Sequence, residues 1–303
     1  MRALEEKRVY DQVELATGRM AKISRGDVIA GVLGARRALQ GFVGEVPPEL
    51  DRGDRLHVLN LGGVIGRAVS YSRQYGRPLE VEFLGAVQEG GRVLNIADRA
   101  LKTADRLDTD IPLVVVSGTS MNSGKTEVAA RATQELTWKG LRVCSAKVSG
   151  ISALKDLLNM EDHGAVKALS FLDFGFPSTV SSGEVPRIAK GAIAELARHR
   201  PDLVILELGD GLLGDYGVME FYRDGQLRER LRCNIVCALD PVGAWGVRQL
   251  LDQEDIPVHL VAGPVTDNDV GLGFLRDRLG LQGINALYQQ EELGAFIRSA
   301  VGR

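Results

Sequence analysis

The stretch SGTSMNSGKT, Ser117 to Thr126, follows directly on the apolar run IPLVVV and constrains the fold more than any other part of the chain. An apolar run, a Gly/Ser-rich turn and then KTEVAARATQELTWKG, with apolar residues at helical spacing, make a strand, a loop and a helix in succession. In that order the loop's N–H groups and the helix N-terminus converge on one point and make a site for an anion. Five residues separate Gly118 from Gly124, one more than in the usual phosphate-binding pattern, in which a Lys reaches the β- and γ-phosphates and the next hydroxyl meets Mg2+. Lys125 and Thr126 take those roles, and Gly118, Thr119, Ser120, Met121, Asn122, Ser123, Gly124, Lys125, Thr126 and Glu127 form the expected nucleotide-binding segment.

The rest of the chain supplies a frame for that loop. A length of 303 residues with 45% hydrophobic content is enough for two domains with their own cores. The balance of 37 basic and 40 acidic residues, with no long run of one sign, gives no bulk attraction to nucleic acid or to a membrane surface. The opening MRALEEKRVYDQVELATG is charged and has no signal-peptide core. No apolar run approaches the roughly 18 residues that span a bilayer, so a cytoplasmic protein is expected. Cys144, Cys233 and Cys237 lie in apolar strand-like surroundings and read as buried thiols rather than as a disulfide or metal set.

Two textures divide the chain. Between about residues 20 and 95, short β-type runs (GDVIAGVLG, LQGFVGEVP, GDRLHVLNLGGVIG, PLEVEFLGAVQ) alternate with turn signals and predict a small β-rich domain, with Gly62 and Gly63 as turn glycines. NIADRALKTADRL has helical spacing and predicts a connecting helix ending near Leu107. Beyond it, IPLVVVS, LRVCSAKV, PDLVILEL, CNIVCALD and IPVHLVAG alternate with amphipathic stretches. Continuous apolar strands separated by helices mean an α/β fold, a doubly wound and mostly parallel sheet covered on both faces. The expected division is a β-rich domain with its connecting helix over 1–107 and a P-loop nucleotide-binding domain over 108–303.

In such a sheet ligands bind beyond the carboxyl ends of the strands, so charged residues at those ends are the next candidates. Glu207 closes the apolar run PDLVILEL ahead of Gly209 and Gly211, and a carboxylate there suits Mg2+ better than it suits packing. Lys147 ends the second strand, expected beside the strand that feeds the phosphate loop. It either binds a substrate oxyanion and stabilises charge in phosphoryl transfer, or snorkels to solvent. The connection from 151 to 185 offers Asp162, His163 and Asp173 as a second metal ligand or a general base; Asp173 is preferred over Asp162 as the further metal ligand, with a plain cap or turn carboxylate as the alternative for either. His163 reads as a surface residue, and Asp210 and Asp215 as turn residues.

Together these pieces resemble the dethiobiotin synthetase-like branch of P-loop proteins, which includes the ATP-dependent cobyrinate amidases. Gly118-Thr119, the five-residue spacing and Gly124-Lys125-Thr126 match its loop. Lys147 with Ser149 and Gly150 matches its second strand, and Glu207 with Gly209 and Gly211 its acidic strand. Ser120 stands where the synthetase carries an Asp, and Val148 where a Pro is common. The resemblance spans roughly residues 111–265. It implies ATP and Mg2+ as cofactors, Lys125, Lys147 and Ser149 as catalytic residues, Thr126, Glu207 and Asp173 as metal residues, and Gly263, Pro264 and Asn268 beside the base. The absence of an Asn-Lys-x-Asp run tilts the base towards adenine. The implied activity is ligase-type activation of a small-molecule carboxylate or carbamate by phosphoryl transfer, with a homodimer possible and no nucleic-acid or membrane partner. A P-loop kinase and a nucleotide switch that recruits partners are the alternatives. Against the switch, Ser117, Gly118, Thr119 and Ser120 offer no counterpart to the additional lysine that septum-positioning and plasmid-partition ATPases carry at the start of the loop.

Overall fold

The computed structural model describes all 303 residues, which form two compact units. Unit 1 comprises Met1–Leu101, Ile151–Lys155 and Phe171–Val180; unit 2 comprises Lys102–Gly150, Asp156–Ser170 and Ser181–Arg303.

Unit 1 is built from short strands because Gly, Pro and Asp interrupt its apolar runs every few residues. In chain order these are β1 (Arg2–Ala3), β2 (Gln12–Glu14), β3 (Met20–Lys22), β4 (Val32–Leu33), β5 (Arg36–Arg37), β6 (Phe42–Glu45), β7 (Arg55–Val58), β8 (Val64–Tyr71), β9 (Glu80–Glu82), β10 (Gln88–Glu89) and β11 (Arg92–Val93). Seven of them form one sheet in the order β1-β9-β7-β8-β6-β5, with β4 also on β8. Only the β4 pairing is parallel. Leu56 and Val58, two apart on β7, point to the same face and join Ala3, Val13, Ile23, Ile65, Leu79 and Val81 in one core. Gly63 takes a positive φ of 82° in the turn between β7 and β8, as a turn glycine does. Gly62 lies so close to the Ser152 carbonyl that a Cβ has no room there. Asn60 Nδ2 donates to that same carbonyl at 2.8 Å, and the Glu14 carboxylate accepts from the backbone N–H groups of Leu154 and Lys155 at 2.6 and 2.7 Å. These bonds hold Ile151–Lys155 within unit 1.

The connecting helix expected over NIADRALKTADRL is absent. Only a 3-10 turn forms, Ile96–Arg99, closed by an Asn95/Asp98 capping box and followed by extended Ala100. The Leu101 N–H bonds to the Asp173 carbonyl and the Ala104 N–H to that of Arg187. Donors satisfied outside their own segment have no need of a helix, and local propensity yields to that arrangement.

Unit 2 is the α/β half. Its strands are β12 (Leu113–Gly118), β13 (Val143–Ser149), β14 (Ala168–Ser170), β15 (Leu203–Leu208), β16 (Leu231–Cys237) and β17 (Leu260–Ala262). The helices are α1 (Lys125–Trp138), α2 (Leu154–Asp162), α3 (Val185–Ala197), α4 (Val218–Arg223), α5 (Gly225–Arg230), α6 (Pro241–Asp252), α7 (Asp269–Leu279) and α8 (Gln290–Val301). All six strands run parallel in the order β14-β13-β15-β12-β16-β17. The expected neighbour relation is therefore corrected. β13 does not lie beside β12; β15 runs between them. Every residue of β12 is buried, as a central strand covered on both faces requires. Val114 and Val116 share a core with Val128, Ala129, Ala132 and Leu136 of α1 and Leu293 and Ile297 of α8. Register then sets the site. Glu207 on β15 lies level with Val116 on one side and with Lys147 on the other, so three strand ends deliver their chemistry to one edge.

Candidate functional site

The loop after β12 is shaped by two left-handed residues, Asn122 (φ 62°) and Gly124 (φ 94°). Glycine takes that conformation without strain, and at Gly124 it turns the chain into the first turn of α1. Gly118, Gly211 and Gly263 are also placed where no Cβ fits: beside Ser123 Oγ, the Thr119 carbonyl and the Ser123 carbonyl respectively. The Thr119 N–H bonds to the Cys237 carbonyl, and the Leu212 N–H to that of Gly118. The end of β16 and the loops following β15 and β17 thus brace the phosphate loop.

Lys125 opens α1 and is only 7% exposed. Its Nζ donates to the Ser120 carbonyl at 2.7 Å and contacts Ser123 Oγ at 3.4 Å, and both partners are neutral groups of its own loop. Burial pulls its pKa below the ordinary value, although nearby Glu207 opposes the shift. A buried cation held only by dipoles is a costly arrangement that an arriving anion relieves.

Thr126, next on the helix, donates from Oγ1 to Glu207 Oε1 at 2.9 Å. Glu207 is 2% exposed, and its second oxygen, Oε2, is buried without a hydrogen-bond partner. Burial raises its pKa, with Lys147, Thr126 and Lys125 pulling the other way. Lys147 Nζ lies 3.9 Å from Glu207 Oε1 and makes a shorter ion pair with Asp156 on the first turn of α2. Burial alone would lower the Lys147 pKa, but Asp156 and Glu207 outweigh it and hold the ammonium above its ordinary value. Thr119 Oγ1 is a second buried oxygen without a partner.

An orphaned carboxylate oxygen beside a threonine hydroxyl fits a hard, oxygen-seeking cation. Thr126 and Glu207 would hold Mg2+, with water and phosphate oxygens completing its shell; no group of three or more His, Cys, Asp or Glu is clustered for a metal.

The other sequence candidates make contacts of their own. Ser149 is buried and donates to the Gly209 carbonyl at 3.3 Å. Asp173 belongs to unit 1, where its carbonyl accepts from Leu101. Asp162 is exposed at the end of α2, and the His163 ring meets the Asn159 carbonyl at 2.7 Å. Glu127 pairs with Arg131 one turn on, Ser120 Oγ donates to the Met121 carbonyl, and Pro264 starts a 3-10 turn beside Gly124. Asn268 caps α7, accepting from Val270 and Gly271. Asp156 is the residue the sequence reading missed. Its only local signal is an acidic residue in a helix's first turn, which most helices offer.

The chain matches no protein-family model, and no curated protein matches it. It is similar in structure to the signal recognition particle receptor FtsY of Elizabethkingia anophelis in complex with GDP: TM-score 0.45, 12% identity, 69% of each chain covered. It is also similar to the cell division protein FtsY of Thermotoga maritima: TM-score 0.42, 15% identity, 68% of this chain and 72% of that one. A nucleotide-binding protein of Archaeoglobus fulgidus, in complex with ADP, gives TM-score 0.41 at 12% identity, over 62% of this chain and 88% of that one. These neighbours lend no support to the narrower resemblance to dethiobiotin synthetase-like enzymes. Unit 2 has a P-loop nucleotide-binding fold by its own strand order and loop, and what the site can do follows from its own geometry.

Proposed function

We propose that the protein binds a nucleoside triphosphate with Mg2+ and works as a hydrolysing nucleotide switch, with ATP the preferred nucleotide. The observation that carries this reading is the buried Lys125, charged yet bonded only to neutral groups of its own loop. A triphosphate supplies the missing negative charge, and bound Mg2+ would neutralise charge developing on the phosphates. The loop supplies N–H donors, Lys125 a movable cation, and Thr126 and Glu207 the oxygens that fix the metal end.

Lys147 separates the switch from the ligase. The ligase reading gives that lysine to the acceptor's oxyanion, whereas it is engaged by Asp156 and Glu207. That arrangement supports water as the phosphoryl acceptor over a bound carboxylate.

Equilibrium binding of fluorescent ATP and GTP analogues, with and without Mg2+, is the direct test, followed by phosphate release with and without panels of carboxylates and amines. We expect binding strengthened by Mg2+ and slow phosphate release indifferent to the panels. Release of ADP only when a carboxylate is present would restore the ligase reading. Lys125→Ala should weaken nucleotide binding about 100-fold, because it removes charge-assisted bonds to phosphate. Unchanged affinity in that variant would end the phosphate-site assignment.

A further inference from the structure

Asp156 lies outside the phosphate loop and outside every motif that identifies it, yet its carboxylate takes the shorter of the two Lys147 ion pairs. The arrangement is a competition. Lys147 stands level with Glu207 across β13 and β15 and is 3.9 Å from its Oε1, too long for a hydrogen bond. The Lys147 and Asp156 side chains are 15% and 13% exposed and that of Glu207 3%, so little water screens the three charges. In such surroundings an ammonium collapses onto a bare carboxylate unless another acceptor holds it. Glu207 meanwhile keeps one oxygen on Thr126 and the other without a partner, as a carboxylate kept open for a cation would be.

We propose that Asp156 is a positioning residue that holds Lys147 off Glu207 and so keeps the Thr126/Glu207 oxygens open to Mg2+. This rests on the nucleotide reading above and adds a device to it. Asp156 does not touch the metal or the nucleotide; it acts through Lys147. Without it, Lys147 closes on Glu207 and Mg2+ must displace a resident cation.

The test is a Mg2+ titration of fluorescent-ATP binding to the full chain, with affinity in EDTA as the reference for each variant. Asp156→Asn, close in size, should raise the Mg2+ concentration for half-maximal enhancement about tenfold, as expected when a cation must be displaced from a nearly dry carboxylate. Lys147→Met in the same background should bring the requirement back to the wild-type range, because the competing ammonium is gone. Circular dichroism and the thermal midpoint of each variant check that the fold is kept; should Asp156→Asn not fold, Asp156→Glu replaces it and should keep the wild-type requirement.

An equal shift in the single and double variants would overturn the proposal, since Asp156 would then act directly rather than through Lys147. An unshifted Asp156→Asn would overturn it as well, while leaving the nucleotide reading intact. Wild-type protein that binds no nucleotide would sink both.

Discussion

A lysine at the head of a buried helix turn is a liability until its ligand arrives. Lys125 satisfies its ammonium with a carbonyl and a hydroxyl, and burial is the leading cause of its lowered pKa. A lysine whose folded pKa lies below the unfolded value of about 10.5 penalises folding while it stays charged. That penalty is complete below the folded pKa, fades as pH rises through it, and is gone above about 10.5. Lys125→Met should therefore stabilise the ligand-free protein by about 1 kcal/mol near pH 7, with the gain over wild type shrinking by pH 10 to 11. Thermal midpoints at the two pH values measure this. A midpoint that falls at pH 7 would mean the lysine's loop contacts stabilise more than its charge costs. Thr126 and Lys125 were legible in the sequence because their chemistry is fixed by adjacent residues, and Glu207 because a carboxylate ending an apolar strand stands out. Asp156 was not legible: it meets Lys147 across nine residues through the return of α2, and no spacing rule encodes that meeting.

At the level of elements, the phosphate loop holds its shape through close backbone approaches from its neighbours. Gly211, in the loop after β15, leaves no space for a methyl group against the Thr119 carbonyl, and Gly209 none against that of Ser149. Gly211→Ala should push the Thr119 end of the loop outward, costing about 1–3 kcal/mol as overpacking does and weakening nucleotide binding without touching any phosphate-contacting side chain. Urea unfolding and nucleotide titration of the same variant give both quantities, and wild-type values in both would show that the loop gives way freely. Strand identity was readable from the apolar runs, since buried parallel strands need continuous hydrophobicity. Strand order was not, because nothing in the β13 run says that β15 will come between it and β12. The helix expected over residues 95–107 failed for a related reason: its N–H groups find carbonyls distant in sequence, and periodicity carries no record of them.

On the scale of the whole molecule, the chain leaves unit 2 for unit 1 twice, at Ile151–Lys155 and at Phe171–Val180. Within unit 1 these segments are held by groups from the first hundred residues. Glu14 caps the N–H groups of Leu154 and Lys155, Asn60 holds the Ser152 carbonyl, and the Leu101 N–H holds that of Asp173. A fragment beginning at Lys102 would keep the six-stranded sheet and the phosphate loop but leave both segments without those partners, their backbone groups returned to water. The first turn of α2, which presents Asp156, would lose its cap, a contribution of about 0.5–2 kcal/mol by itself. The fragment should therefore unfold at a lower temperature than the full chain, by at least about 5 °C, and limited proteolysis should cut it first within 151–155 and 171–180. A fragment with the full chain's midpoint and protease resistance would show that residues 151–155 and 171–180 need no partners from the first hundred residues.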